Sequence, residues 1–416
     1  MKEYEKSLDE IYALAPKKFV LNLKNIAHLL DSLGNPQSSF KSIHVAGTNG
    51  KGSTVEMISS ILIESGYSVG TYTSPHITDF RERIRINGKR IDKVDFVRIF
   101  SKIKKQNIPV TMFEATTALA FMHFAEKSVD YAVVETGLGG RLDATNTIMP
   151  CASVITNVDY DHTDILGRSI RKIAWEKAGI IKKGIPLVTA EKKRSVLDVF
   201  RKICRQKNSP LLIVGRDVKI QESESPDEFF IFGREKYRIH LNLLGEHQRM
   251  NAATAVCAVE ASGAKITKES VEKGLAKTKL HGRLEIVRKK PMLVFDGAHN
   301  TPAAKAVRKA LTDFEYKKLI LVVGMMRDKD MGGFLAQLAP LAHLVVVNRP
   351  SVDRAAEPKE IARLASAFCK RIKIVENVRN SIKYALSEAR PDDMVLVTGS
   401  IYMLCEAKGH KPRVAQ

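Results

Sequence analysis

The chain has little cysteine, few aromatic residues and no long apolar run. Its five cysteines are scattered at positions 151, 204, 257, 369 and 405 and form no CxxC pair. This spacing is typical of reduced thiols in a cytoplasm and argues against a metal-thiolate site. No apolar run approaches the ~20 residues of a membrane span, and the charged start, Met1–Lys6, lacks a signal-peptide core. These absences predict a cytoplasmic protein with no membrane partner.

The charge balance is strongly basic, with 67 Lys and Arg residues against 46 Asp and Glu residues and a formal net charge of +21. Such a balance fits a nucleic-acid binder, and it equally fits an enzyme of polyanionic small molecules. The basic residues are spread along the chain, and short clusters such as Lys192-Lys193-Arg194 are not interleaved with aromatic residues. We therefore expect no nucleic-acid partner, and a nucleic-acid-associated P-loop ATPase is the alternative.

The length of 416 residues exceeds what one hydrophobic core usually supports, so we expect two domains. Residues 1–280 alternate apolar runs with helical patterns, which predicts an α/β domain with a mostly parallel sheet. Its strands are predicted at Ser42–Ala46, Ser68–Thr73, Tyr131–Glu135, Ala152–Asn157 and Pro186–Thr189. Acidic and aromatic residues then alternate within 216–244, which predicts a small antiparallel ribbon.

A second alternating unit, residues 281–416, is the smaller of the two. Its strands are predicted at Met292–Phe295, Leu319–Val323, Leu344–Val347, Ile372–Val375 and Met394–Thr398. The stretch Leu280–Leu284 is the predicted linker between the units. The fold class is therefore α/β, with a larger N-terminal domain and a smaller C-terminal α/β domain.

A glycine-rich run joins the first predicted strand to a helical pattern, and it reads Gly47-Thr48-Asn49-Gly50-Lys51-Gly52-Ser53-Thr54. In such a loop, backbone N–H groups and the positive end of the helix dipole point at a phosphate, and a lysine reaches the outer phosphates. The match to the usual P-loop is incomplete, because Val45 stands where glycine is expected and Gly52 stands where Ser or Thr is expected. The run still predicts a nucleotide-binding loop with Lys51 on the phosphates.

Polar side chains follow three of the predicted strands, at the edge where catalytic groups gather in open α/β sheets. Ser74 follows the second strand, Glu135 ends the third, and His162 follows the fourth. Mg²⁺ prefers hard oxygen ligands, so Ser74 and Glu135 suit it well and His162 is a less usual ligand. In the second unit, the run Asp296–Asn300 again places polar side chains at a strand end. Lys177, taken alone, is typical of a solvated lysine on a helix.

A series of motifs occurs in one order along nearly the whole chain. They are GTNGKGST at 47–54, TSPH at 73–76, RERIRING at 81–88, ETGLGGRLDATN at 135–146, DHTDILG at 161–167, EKAGI at 176–180, HGR at 281–283, DGAHN at 296–300 and DKD at 328–330. In this combination the chain resembles the folylpolyglutamate and dihydrofolate synthases of the Mur-ligase superfamily, whose phosphate loop shows the same departures. The resemblance implies an N-terminal Mur-ligase-type P-loop ATPase domain and a Rossmann-like C-terminal glutamate-ligase domain.

The resemblance also implies the reaction, an ATP-dependent amide ligation. ATP would phosphorylate a substrate carboxylate to an acyl phosphate, and the amine of L-glutamate would then attack it. The implied catalytic residues are Lys51, Glu135, His162 and Lys177. Two Mg²⁺ ions are implied, with Ser74, Glu135, His162 and Lys177 as ligands and Lys177 carbamylated by CO₂. The implied ATP contacts are residues 47–54, Asn251, Arg283, Asp296 and His299.

The acceptor implied by the resemblance is dihydropteroate or a folate, held by Phe113 and by Leu142, Asp143 and Ala144, with a looser match at Val20–Leu23. The family expectation is a monomer. Dihydrofolate synthase, folylpolyglutamate synthase and a bifunctional enzyme stay open at this point. A Mur-type ligase acting on another carboxylate, such as a modified pterin or a cell-wall precursor, is the alternative within the superfamily, although TSPH and LDATN favour the folate branch.

Overall fold

The computed structural model describes residues 2–14, 22–224 and 228–413. The first part of the chain contains α1 (Lys2–Ala13), α2 (Lys24–Ser32), β1 (Lys41–Ala46), α3 (Lys51–Glu64), β2 (Val69–Tyr72), β3 (Ile84–Ile86), β4 (Lys89–Arg90), α4 (Lys93–Lys105), α5 (Met112–Glu126) and β5 (Tyr131–Glu135). It continues with β6 (Ala152–Ile155), α6 (Thr163–Leu166), α7 (Ile170–Ala178), β7 (Leu187–Thr189), α8 (Arg194–Gln206), β8 (Leu211–Ile213), β9 (Lys219–Glu222), β10 (Glu228–Phe232), β11 (Lys236–His240), α9 (Glu246–Ala261) and α10 (Lys268–Lys277).

The larger sheet has eight strands in the order β4-β3-β2-β5-β1-β6-β7-β8. The six neighbouring strands β2, β5, β1, β6, β7 and β8 are parallel, and the β3–β4 hairpin adds an antiparallel edge beside β2. Because β1 lies between β5 and β6, the direction of chain progression reverses beside β1. Such a switch point opens a crevice at the carboxyl ends of the strands. The register pairs Val45 with Glu135, so β1 and β5 end side by side at that crevice.

Both faces of this sheet are covered, which explains why its central strands are apolar along their length. On β5, Val133 packs into the core shared with α3 and α9, whereas Ala132 and Val134 pack into the core shared with α4 and α5. The alternation follows from the strand period of two. Helix α5 starts at a capping box in which Thr111 and Glu114 exchange hydrogen bonds with each other's backbone N–H groups.

A small separate sheet in the order β11-β10-β9 is antiparallel throughout, which confirms the predicted ribbon. Phe229 and Ile231 of β10 point into the core beneath α9. Phe230 points the other way, and the Lys236 ammonium lies 4.1 Å from the centre of its ring. The alternating aromatic pattern therefore anchors the ribbon to the α9 face of the first unit.

The second unit follows α10 and contains β12 (Glu285–Lys289), β13 (Met292–Phe295), α11 (Thr301–Ala310), β14 (Leu319–Val323), α12 (Met331–Leu338), β15 (Ala342–Val347), α13 (Pro358–Ala365), β16 (Ile372–Ile374), α14 (Val378–Glu388), β17 (Met394–Thr398) and α15 (Ile401–Ala407). Its sheet has the order β12-β13-β17-β14-β15-β16 and is parallel except for β12. The predicted linker, Leu280–Leu284, lies between α10 and β12.

The predicted fold class is confirmed: two α/β units with parallel-rich sheets, the second smaller than the first. Every strand predicted from the sequence is present within about two residues of its predicted bounds. Strands β3, β4, β8 and β12 are additions that the sequence did not indicate. Within the described ranges, no helix combines the length and the apolarity needed to cross a bilayer.

Candidate active site

The phosphate loop lies at the switch point, between the end of β1 and the start of α3. Glycine is required at two of its positions by close approach. A Cβ atom on Gly47 would lie 1.8 Å from the Thr156 hydroxyl oxygen, and one on Gly50 would lie 2.6 Å from Oδ1 of Asn251. Gly50 also has a φ of 81°, in the left-handed region that favours glycine. The loop is therefore packed against β6 on one side and α9 on the other.

The backbone of the loop is held by the segment that follows β6. The Thr48 N–H donates to the Asn157 carbonyl at 2.9 Å, and the Asn49 N–H donates to the Asn157 side chain at 3.0 Å. The Thr156 hydroxyl donates to the Asn49 carbonyl at 2.7 Å. These bonds fix the loop before any ligand arrives, which is the preorganisation that phosphate binding needs.

Two lysine ammonium groups meet at one backbone carbonyl of this loop. Lys51 Nζ donates to the Gly47 carbonyl at 3.1 Å, and Lys177 Nζ donates to the same oxygen at 2.9 Å. Lys177 is buried, with 4% of its surface exposed. Burial and the Lys51 charge lower the pKa of Lys177 to about 7. The structure therefore corrects the expectation of a solvated Lys177, and it places a strongly electropositive point beside the loop.

Glu135 and Ser74 meet at the ends of β5 and β2. The buried Glu135 carboxylate accepts a hydrogen bond from the Ser74 N–H at 3.0 Å, and a Cβ on Gly52 would lie 3.7 Å from it. Burial raises the pKa of Glu135, and the Lys51 charge opposes this shift. His162 follows β6 with a φ of 49°, a left-handed conformation that costs a non-glycine residue about 1–3 kcal/mol.

The second unit reaches the loop through one buried polar junction. Lys329 Nζ donates to Asp161 at 2.7 Å, and both side chains are almost fully buried. The Asn300 amide donates to Asp161 at 3.1 Å and to Asn49 at 3.2 Å. Burial would raise the pKa of Asp161, but His162, Lys329 and His299 hold it well below its ordinary value. The junction ties the phosphate loop, the end of β6 and the second unit together.

A cavity of about 460 Å³ opens over the phosphate loop and collects most of the predicted nucleotide contacts. Residues 47–53 line it, together with Ser74, Glu135, His162, Lys177, Asn251, Arg283, Asp296 and His299. Thr54 does not line it, because its side chain is buried within the first turn of α3. Asp296 accepts from the backbone N–H groups of Leu284 and Ala298, and burial raises its pKa.

A larger cavity of about 900 Å³ adjoins the first and is lined by Phe113, Leu142, Asp143 and Ala144. The buried Asp143 carboxylate accepts from the Leu138 N–H at 2.7 Å and from the Thr145 hydroxyl at 2.5 Å, so it holds the wall of this cavity in shape. Of the looser match at Val20–Leu23, Val20 and Leu21 lie outside the described residues. Asn22 lines the cavity.

Sequence reasoning missed the roles of Asp161, Asn300 and Lys329, and also of Arg83, which lines the larger cavity. All four lie within the quoted motifs DHTDILG, DGAHN, DKD and RERIRING. Membership in these motifs is the sequence feature that could have pointed to the four residues, but nothing in the spacing of the motifs indicates that Asp161 and Lys329 meet. Among the described residues, no three His, Cys, Asp or Glu side chains form a metal cluster of their own.

Comparison with known proteins identifies the class. Residues 45–259 match the Mur ligase middle domain, and residues 282–401 match the Mur ligase glutamate ligase domain. With the phosphate loop and the two-unit cleft, these matches define a Mur-type ATP-dependent ligase. A dihydrofolate synthase/folylpolyglutamate synthase of Bacillus subtilis is 36% identical over 405 residues, which cover 93% of this chain and 94% of the relative. The chain therefore belongs to the folylpolyglutamate synthase/dihydrofolate synthase family.

Solved structures of this family agree with the assignment. The folylpolyglutamate synthase of Mycobacterium tuberculosis complexed with ADP has a TM-score of 0.92 and 32% identity over 99% of both chains. Escherichia coli FolC in complex with DHPP and ADP has a TM-score of 0.91 and 29% identity over 97% of this chain and 96% of that one. The Yersinia pestis bifunctional enzyme complexed with AMPPNP and a Mn ion has a TM-score of 0.89 and 28% identity, over 97% of this chain and 96% of that one. The predicted family and ligase class are confirmed.

Proposed function

We propose that this protein uses ATP to join L-glutamate to the carboxylate of a pterin-linked acceptor, dihydropteroate or a folate. The observation that carries the proposal is the wall shared by the two cavities, because Ser74, Gly137, His162 and Lys329 line both. A nucleotide on the phosphate loop and an acceptor in the larger cavity would meet at this wall. The E. coli relative carries DHPP together with ADP, which supports the same pair of ligands here.

The ATP side of the proposal uses residues of both units. The loop amides, the N-terminus of α3 and Lys51 would hold the β- and γ-phosphates. Asn251, whose side chain packs against Gly50, would lie near the base, and Arg283 would lie near the phosphates. Asp296 and His299 would complete the contacts from the second unit. The ADP-bound M. tuberculosis relative supports this use of the cleft.

The residues at the strand ends fit a hard divalent cation. Among the described residues, the buried Glu135 carboxylate accepts one hydrogen bond, from the Ser74 N–H, and has no ion pair, so a bound cation could neutralise it directly. We propose Ser74, Glu135, His162 and a carbamylated Lys177 as the ligands of two Mg²⁺ ions, and the Mn ion of the Y. pestis relative supports a metal here. When bound, Mg²⁺ would neutralise charge on the phosphates during transfer.

The proposed reaction balances in two steps. An oxygen of the acceptor carboxylate attacks the γ-phosphorus of ATP, which forms an acyl phosphate and releases ADP. The amine of L-glutamate then attacks the acyl carbon and loses a proton, and inorganic phosphate leaves with the former carboxylate oxygen. The residues of this chain contribute mainly by positioning the reactants, since phosphoryl transfer needs alignment and charge stabilisation. The Asp161–Lys329 junction would keep both units in place.

The acceptor side rests on Phe113, Leu142, Asp143 and Ala144, which we propose hold the pterin end of the substrate. A Cβ on Gly137 would lie 2.5 Å from the tip of the Phe113 ring, so the glycine makes room for this ring at the shared wall. An aromatic wall of this kind suits a planar heterocycle. The cytoplasmic location, the monomeric state and the domain boundary at residues 280 and 281 stay predictions.

The experiment that tests this function is an ADP-release assay with ATP, Mg²⁺ and L-glutamate, which compares dihydropteroate with tetrahydrofolate. We expect release to require glutamate and at least one of the two acceptors. With glutamate present, ADP release that dihydropteroate supports and tetrahydrofolate does not identifies a dihydrofolate synthase. The reverse result identifies a folylpolyglutamate synthase. ADP release that is indifferent to both glutamate and acceptor would refute the proposed ligation.

Replacement of Arg283 should weaken the use of ATP far more than the binding of the acceptor. Arg283 lines the smaller cavity and not the larger one, and its loss removes a charged hydrogen-bond donor. We expect Arg283→Ala to raise the KM for ATP by about 10- to 100-fold. Steady-state kinetics and calorimetry of acceptor binding measure the two effects. Arg288→Ala is the control, because Arg288 is exposed on β12 and lines neither cavity. Equal losses for ATP and acceptor would contradict this placement.

A further inference from the structure

Arg83 is a buried arginine at the wall of the larger cavity. It ends a short 3₁₀ turn, Phe80–Arg83, directly before β3, and only 7% of its surface is exposed. It lines the cavity of about 900 Å³ and not the smaller cavity over the phosphate loop. Its guanidinium is a cation that carries five N–H donors and no acceptor.

Within the part of the chain that the structure describes, Arg83 has no carboxylate partner, in contrast to the other arginines of the same segment. Arg81 pairs with Asp79, Arg85 pairs with Glu56, and Arg90 pairs with Asp79 and Glu82. Among the described residues, no carboxylate lies within 4.0 Å of the Arg83 nitrogens. Two buried acids of the cavity are engaged elsewhere, since Glu114 caps α5 and Asp143 accepts from Leu138 and Thr145.

Among the described side chains, the hydrogen-bond partner of Arg83 is a neutral histidine, His76. Arg83 Nε donates to His76 Nδ1 at 2.9 Å, and because Nε of arginine can only donate, His76 Nδ1 must be unprotonated. The other ring nitrogen of His76 lies 3.3 Å from the Tyr12 hydroxyl of α1. The guanidinium also lies 5.1 Å from the centre of the Phe80 ring. These contacts orient Arg83 without neutralising it.

We propose that Arg83 binds a negatively charged or negatively polarised oxygen of the acceptor, through the terminal nitrogens that its partners leave free. This proposal rests on the proposed function, since the acceptor is the ligand of the larger cavity. A buried cation without a partner is costly to the folded protein, whereas a ligand oxygen would give it a charge-assisted and forked hydrogen bond. Arg83 is therefore an anchor for the acceptor and not for ATP.

Two oxygens of the acceptor have the required chemistry. One is the amide oxygen of the pteridine ring, which both dihydropteroate and tetrahydrofolate possess. The other is the non-reacting carboxylate of a glutamyl group, which tetrahydrofolate has and dihydropteroate lacks. A comparison of the two acceptors therefore separates the sources without any change to the protein.

The test is calorimetric binding of each acceptor in the presence of Mg²⁺ and AMPPNP, with thermal unfolding measured in parallel. We expect Arg83→Met to weaken acceptor binding by about 10- to 100-fold and to leave the KM for ATP unchanged. The variant should unfold at the same temperature as wild type or at a higher one. Arg83→Lys, which keeps the charge and loses the fork, should fall between Met and wild type. Arg85→Met is the matched control, which breaks the pair with Glu56 and should lower the unfolding temperature while leaving acceptor binding unchanged.

Weaker binding of both acceptors by Arg83→Met supports the ring oxygen, and weaker binding of tetrahydrofolate alone supports the glutamyl carboxylate. The proposal would be overturned if Arg83→Met bound both acceptors with wild-type affinity. It would also be overturned if the variant lost as much affinity for ATP as for the acceptor, or if weaker acceptor binding came with a lower unfolding temperature. The proposed function fails separately, if wild type binds an acceptor but releases no ADP when glutamate is added.

Discussion

Lys51→Ala is expected to abolish ATP turnover while the protein stays folded. The Lys51 ammonium lies within 3.1 Å of the Gly47 carbonyl at the mouth of the phosphate loop, so it is in place to contact the outer phosphates. No other loop residue carries a positive charge, and removal of a positioned charge-stabilising donor costs at least about 10²- to 10³-fold in rate. We expect the rate of ADP release to fall by at least this factor.

The control for this prediction is Lys41→Ala. Lys41 begins the same strand that leads to the loop, but it is exposed and lines neither cavity. Both variants should show the far-ultraviolet circular dichroism of wild type, because neither side chain belongs to a hydrophobic core. Near-normal turnover by Lys51→Ala would show that the loop is not the site of the phosphates.

The second large effect is expected at Lys177. Its amine is buried, donates to the Gly47 carbonyl at 2.9 Å, and has no carboxylate within ion-pair distance among the described residues. The proposed carbamate would replace this positive charge by a negative one with oxygen ligands for Mg²⁺. Lys177→Ala should therefore lower kcat by about 100-fold or more, and added short-chain carboxylic acids should partly restore it.

A matched control for Lys177 is Lys182, a partly buried lysine just beyond the end of α7. Lys182 Nζ also donates to a backbone carbonyl, that of Asn146, but the residue lines neither cavity. Lys182→Ala should keep its activity and gain nothing from added acids. Mass spectrometry of the active, CO₂-equilibrated enzyme measures the modification directly. An unmodified Lys177 in that sample would contradict the carbamate.

The pH dependence of this modification has a defined sign. Only the neutral amine attacks CO₂, and burial with the Lys51 charge lowers the pKa of Lys177 to about 7. The neutral amine is therefore common above pH 7 and scarce below it. An ordinary solvated lysine would be almost fully protonated at pH 7. We expect the rate at which CO₂ activates the demodified enzyme to fall as the pH drops below 7.

The sequence predicted those features that depend on local pattern. Apolar runs located the buried strands, since parallel strands covered on both faces read as continuous apolar segments. The glycines of residues 47–52 predicted the phosphate loop, and Ser74, Glu135 and His162 were predicted to lie together because the carboxyl ends of parallel strands share one edge of the sheet. The structure places residues 47–52 and these three side chains at one cavity.

The features that sequence reasoning missed depend on contacts between distant segments. Lys329 meets Asp161 only because the segment after β14 of the second unit lies beside the segment after β6 of the first, and nothing near either residue in the sequence indicates its partner. Arg83 looks like its paired neighbours Arg81 and Arg85 in the sequence, and only the structure shows that no carboxylate of the described residues pairs with it. Strand β12 was missed because it is an exposed edge strand, Glu285–Lys289, and carries charged residues in place of an apolar face.

In the proposed reaction, the γ-phosphoryl group of ATP is transferred to the carboxylate of a pterin-linked acceptor before glutamate attacks. The most direct measurement uses an acceptor labelled with ¹⁸O in its reacting carboxylate and mass spectrometry of the phosphate released in a full turnover with ATP, Mg²⁺ and L-glutamate. We expect one labelled oxygen to move from the acceptor to the phosphate. Unlabelled phosphate, released while ligated product accumulates, would contradict it.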